Sequence, residues 1–252
     1  EFMQIYIYQI RFQVAIMIVG IPIFQENSSL IKEIHIVFAS ERDIALKQEL
    51  FDSLKNATNL QTIIMRRPSG IGFTSLSKFL KDELPSVKIF DLEGATPTAP
   101  GNILQDLNGI EKFSNLTNLI VRYTSSNLNI ESIEKCKKLQ NLTLSYCNIS
   151  SIEALKGLSN LQSLVLNNNS ISSLKPLENL TELGVLNLEN NVISDSSIYI
   201  DTDGSTKRYN NLDILANLNK KGKLKKLYLA ENDNIINWTP LSQLNWKSKS
   251  GW

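Results

Sequence analysis

Apolar residues along this chain follow neither the three-and-four spacing of a helix nor the plain alternation of a strand for long; they follow a longer rule that starts again. Between residues 161 and 180, "LQSLVLNNNSISSLKPLENL" places leucine at 161, 164, 166, 174, 177 and 180, with Asn169 and Ile171 between them. Moving back 22 positions, "LQNLTLSYCNISSIEALKGL" repeats the arrangement with Leu139, Leu142, Leu144, Ile149, Ile152, Leu155 and Leu158. Moving forward 22, "LGVLNLENNVIS" does so with Leu183, Leu186, Leu188, Asn191 and Ile193. A unit this short cannot bury its own apolar face, so copies must stack and share one core.

Within each unit, L-x-x-L-x-L predicts one short strand whose alternate residues point into the shared interior. The same inward pair occurs elsewhere: Ile34 and Ile36, Ile63 and Met65, Phe90 and Leu92, Leu119 and Val121, Leu227 and Leu229. Eight strands are predicted, beginning at Ile31, Leu60, Val87, Leu116, Leu139, Leu161, Leu183 and Leu224, with spacings of 29, 27, 29, 23, 22, 22 and 41 residues. A long repeat has room for an outer helix, and "IALKQELFDSLKNA" and "SLSKFLKDEL" carry helical periodicity there. A repeat of 22 has room only for a tight turn or a 3₁₀ segment. Wider outer elements against strands about 4.8 Å apart predict a sharper bend in the first half.

Where the chain leaves each strand, backbone amides and carbonyls turn inward, and a buried asparagine can satisfy both kinds. Asn169, Asn191 and Asn232 are expected to form such a ladder, continued by Cys147 and Thr124. The pattern L-x-x-L-x-L-x-x-N-x-I resembles a leucine-rich repeat. Residues 116 to 194 resemble the shorter class found in bacterial internalins and in a protein-phosphatase regulatory subunit. The longer first repeats are similar to the ribonuclease-inhibitor-like class, with Pro68 and Ala95 at the expected asparagine position. The resemblance covers most of residues 31 to 245 and implies an α/β fold. In such a right-handed solenoid a parallel sheet forms the concave face, and helices and 3₁₀ turns form the convex one.

The domain reading that follows is residues 1–30 as an N-terminal cap or vestigial signal-like segment, 31–245 as the repeat domain with an insertion at 195–223, and 246–252 as a C-terminal cap or tail. The opening apolar run from Val14 to Phe24 is 11 residues, too short to span a bilayer, and suits a signal core behind Arg11. "QENSS" then offers no small-residue cleavage site, whereas alternation over Gln4 to Tyr8 suits a capping strand. At the other end, Trp238, Leu241 and Leu244 are expected to close the last turn, with Trp246 and Trp252 either covering the open end of the core or meeting a partner. The insertion is polar, and its "DTDG" resembles the start of a calcium loop but lacks the glutamate at the twelfth position, so a solvated loop is expected.

Charge and candidate chemistry narrow the function. With 26 Lys+Arg against 25 Asp+Glu, no global field favours nucleic acid or an anionic membrane. Cys147 stands at the asparagine position and Cys136 where other repeats carry leucine, so both are expected to be buried small hydrophobes. One histidine, His35, and the lack of G-x-S-x-G, H-E-x-x-H, C-x-x-C or phosphate-loop motifs point to no catalytic, cofactor or metal set, hence no enzyme. Compartment stays open between cytoplasmic and secreted.

Binding is what stacked strands offer, since every second side chain is left on one continuous face. The residues between the inward pairs, the column beside them and the positions one step further yield the candidate partner-binding set Ile64, Arg66, Asp91, Ile120, Arg122, Tyr123, Tyr146, Val165, Glu189 and Tyr228. The expected function is recognition of a protein partner, in adhesion, as an effector or in neutralising that partner, by a monomer without cofactor, nucleic-acid partner or membrane span. The alternative is an intracellular regulatory subunit that positions or inhibits an enzyme.

Overall fold

The computed structural model describes residues 3–8, 28–37, 48, 51–66, 74–94, 104–124, 127–200, 204–242 and 248–250. All eight predicted strands form: β2 (Ile31–Val37), β3 (Thr62–Arg66), β4 (Ile89–Glu93), β5 (Asn118–Arg122), β6 (Asn141–Ser145), β7 (Ser163–Val165), β8 (Val185–Asn187) and β11 (Lys226–Tyr228). They pair in parallel, in chain order, within one sheet of ten strands. Two strands beyond the predicted eight flank them: β1 (Met3–Tyr8) lies against β2, and β12 (Ser248–Ser250) against β11. The alternation at residues 4–8 is thus a real strand, while the apolar run at 14–24 lies outside the described residues.

Register follows the inward pairs. Ile34, Ile63, Phe90, Leu119, Leu142, Leu164, Leu186 and Leu227 face one another in successive strands. Each is almost wholly buried. So are Ile36, Met65, Leu92, Val121, Leu144, Leu166, Leu188 and Leu229 two residues on. A slip of one residue would turn both rows to water, so burial fixes the register strongly.

The convex side is built from 3₁₀ turns at Leu76–Lys78, Ile110–Lys112, Glu131–Lys135, Glu153–Leu155 and Lys175–Leu177. Residues 51–54 are helical, as their periodicity predicts. "SLSKFLKDEL" differs from expectation: only Leu76–Lys78 winds, and Leu80 N–H closes back on Leu76 before the chain extends. Its apolar positions are satisfied by a single turn, with Leu76, Phe79, Leu80 and Leu84 all buried. The wide outer helix that would have bent this repeat is therefore missing from it.

The insertion also departs from the expected loop. β9 (Ser196–Ile200) and β10 (Thr206–Asn210) form an antiparallel hairpin. The alternating, β-branched and aromatic "SIYI" is a strand signal that its polar flanks obscure. Asp201 and Asp203 of "DTDG" lie outside the described residues. The helix predicted at "LDILANL" runs from Asn211 to Lys221 and is capped by Asn210, whose side chain accepts from the Leu212 and Asp213 amides. At the C-terminus Leu241 is buried and Trp238 packs on the core; Leu244, Trp246 and Trp252 lie outside the described residues. No helix among the described residues is long and apolar enough to cross a membrane.

The asparagine ladder has the expected chemistry. Asn169 donates through its NH₂ to the carbonyls of Leu144 (2.7 Å) and Leu166 (2.9 Å) and accepts from the amides of Cys147 (3.2 Å) and Ile149 (3.0 Å). Asn191 and Asn232 repeat this one and two turns on, accepting from Ile171 and Ile193. Cys147 substitutes with a thiol that reaches the carbonyls of Ser145 (3.3 Å) and Val121 (3.5 Å). Burial pushes that thiol up to about 12 and Cys136 up to about 11, and both are free cysteines.

Candidate functional site: the concave face

Because register places equivalent residues side by side, the concave face is a set of columns. Its central column runs His35, Ile64, Asp91, Ile120, Thr143, Val165, Asn187 and Tyr228. All eight are half-buried. The candidate aliphatic residues Ile64, Ile120 and Val165 therefore share a column but are not contiguous, since Asp91 and Thr143 stand between them.

In the adjoining column the charges mostly meet one another. Arg66 donates to both carboxylate oxygens of Asp91, at 2.9 and 2.8 Å. Its Nε also lies 3.5 Å from Glu93. Burial pulls the Arg66 guanidinium down, and the Asp91 hydrogen bonds with the Asp91 and Glu93 charges more than offset this, leaving it above its ordinary value. A bidentate pair already formed within the sheet leaves Arg66 and Asp91 less to offer a partner. Arg122 differs: its one ion pair among the described residues is a long one, 3.9 Å from Glu93. His35 is engaged with Glu33. Glu189 is tied locally, its carboxylate accepting from the Asn187 amide group and its backbone N–H donating to Asn187 Oδ1. Ser145, in the same column, is buried and donates to Asn167 at 2.7 Å.

Tyr123 and Tyr146 stand where the chain turns off the sheet, and their backbones are left-handed, with φ of 58° and 57°. The equivalent positions of the following repeats are Asn168 (φ 58°), Asn190 (φ 50°) and Glu231 (φ 58°). Asparagine visits this region readily; a tyrosine does so at a cost of about 1 to 2 kcal/mol. The two rings pack together, centroids 4.8 Å apart and planes tilted by 37°. With Thr124, Asn148, Asn168 and Ser170 they line a pocket at the sheet's edge. The strand alternation that identified the other columns ends before these positions, so the convergence of the two rings was not visible in it. The L-x-x-L-x-L-x-x-N frame, with tyrosine just before the asparagine position, is the signal that could have found it.

Residues 137–174 and 159–200 match the family model for leucine-rich repeats in two copies. No curated protein matches the sequence. Among solved structures, internalin C2 from Listeria monocytogenes is similar at 23% identity and a TM-score of 0.59, over 88% of this chain and 80% of that one. The internalin InlF of the same organism is similar at 19% identity and a TM-score of 0.54, over 90% and 70%. A leucine-rich-repeat protein from Leptospira interrogans is similar at 20% identity and a TM-score of 0.52, over 81% of this chain and 50% of that one. These likenesses show the fold: an internalin-like leucine-rich-repeat solenoid.

Proposed function

We propose that this chain is a non-enzymatic recognition module that binds a protein partner through the concave face. The observation that carries the reading is the half-buried aliphatic residues Ile64, Ile120 and Val165 of the central column, beside an Arg122 guanidinium whose one ion pair among the described residues is 3.9 Å long. Apolar area next to a multidentate donor is the composition of interface anchor sites. Leucine-rich repeats are a protein-interaction architecture, and stacked strands display such anchors in fixed register at no further ordering cost. The buried cysteine thiols, pushed up by desolvation, supply no thiolate nucleophile.

The test is capture from native lysate and supernatant with the wild-type chain and with Ile120→Asp and Arg122→Ala variants. The expected result is a protein retained by the wild type, lost with both variants, and bound in a defined stoichiometry when purified. Neither side chain belongs to the core, so melting temperature is expected to hold. Partners retained equally by all three chains would remove this face from the site.

A further inference from the structure

We infer that the pocket under Tyr123 and Tyr146 is a saccharide subsite, taking a neutral pyranose against the tyrosine pair. Two consecutive repeats hold a tyrosine in a left-handed conformation that the next two repeats fill with asparagine and the last with Glu231. Strain kept at the same place twice, where a cheaper residue is in use alongside, marks a position whose side chain is wanted for what it touches. What it offers is aromatic surface: two packed rings with no hydrogen bond to their hydroxyls among the described residues.

The rest of the pocket sets the class of ligand. Thr124, Asn148, Asn168 and Ser170 bring only hydroxyls and amides, and among the described residues no charged side chain lines it. Part of this polar capacity is engaged: Asn148 donates to Asn127, Ser170 lies 3.5 Å from Asn148 Oδ1, and Asn190 donates to Asn168 Oδ1 at 2.7 Å. That leaves the Asn168 NH₂ group and the two phenol hydroxyls unengaged among the described residues. A pyranose has an apolar C–H face that fits the electron-rich face of an aromatic ring and hydroxyls at its edge that both donate and accept. A phosphate or carboxylate would find no cation in the pocket. A proline-rich peptide would use the rings but leave the array of amides and hydroxyls largely unmatched. The inference is independent of the protein partner proposed above, because the saccharide is tested alone.

The experiment titrates the full chain with β-1,4-linked tetramers of glucose, N-acetylglucosamine and mannose. Saturation transfer to sugar C–H protons and shifts of the tyrosine ring resonances are the readouts. Expected are transfer from at least one sugar, movement of the Tyr123 and Tyr146 signals, and loss of both in a Y123N/Y146N variant. That variant keeps its fold, because asparagine is the residue the next repeats use at this φ, and unchanged far-ultraviolet dichroism with cooperative melting checks it. Should the variant fail to fold, Asn168→Ala replaces it, leaving the rings in place and weakening the same sugar. No transfer from any of the three sugars overturns the inference, as does transfer that survives loss of both tyrosines. Tighter binding of a sulfated sugar or of a proline-rich peptide to the same rings overturns it too.

Discussion

The first repeats and the central ones reach the same sheet by different means. Strands β2 to β4 are separated by 29 and 27 residues, and their aliphatic core takes in phenylalanines as well, paired as Phe51 with Phe79 (5.5 Å) and Phe90 with Phe113 (5.3 Å). Strands β6 to β8 recur every 22 residues, their core is aliphatic, and the half-buried Asn169 and the buried Asn191 bind one turn to the next. Despite this, register runs without a break from Ile34 to Leu227. Ladder hydrogen bonds and alternate burial fix strand pairing, while the length of the return path alters only what must fill the space behind it. The exposed faces diverge as well. The early strands join their charges in the Arg66, Asp91, Glu93 and Arg122 cluster, whereas the central repeats end in tyrosines and amides.

The largest expected effect tests what the two regions share. Leu164→Ala should cost about 2 to 5 kcal/mol in urea unfolding, and Val165→Ala, one residue away, under about 1 kcal/mol. Equal losses would break the claim that alternate burial sets the register. Next comes the feature that separates the regions. Asn169→Ala strands the Cys147 and Ile149 amides and should cost about 1 to 3 kcal/mol for each group left unpaired, with faster hydrogen exchange at both. Unchanged exchange would show that the ladder does not hold the turns. Smaller still, Asp91→Asn weakens a partly exposed bidentate pair and should cost about 1 kcal/mol, less in high salt. A salt-independent loss would mean that packing, not charge, holds the early face. Last, Cys136 and Cys147 should resist a disulfide reagent at pH 8 until the chain unfolds, since burial holds both thiols protonated. Rapid labelling of the native protein would place Cys147 outside the ladder.

How much of this was legible depends on whether one residue or an arrangement had to be read. Eight strands, their inward pairs, the ladder of Asn169, Asn191 and Asn232, and the burial of both cysteines follow from spacing, because a period that stacks leaves each position one environment. Other asparagines with comparable work were not legible. Asn59, Asn115 and Asn160 each donate to a carbonyl of the preceding repeat, at 2.7, 2.8 and 2.8 Å, and the recurrent Asn-Leu at 59–60, 115–116 and 160–161 was the available signal. Asn211 is fully buried and joins the hairpin and helix to the loop at Ser172 and Leu174, a role outside the period.

Sequence alone therefore determined the solenoid, since a repeat of 22 residues with two inward side chains per strand has one way to hide them. Tertiary structure decided which of the outward residues are left available. Whether Arg66 is engaged depends on Asp91 lying on the next strand, 25 residues away, at bonding distance. Whether Tyr123 and Tyr146 share a pocket depends on the left-handed turn that brings two rings of different repeats into contact. Such facts belong to pairs of residues brought together across repeats, and a pattern read along one chain records only which of them could meet.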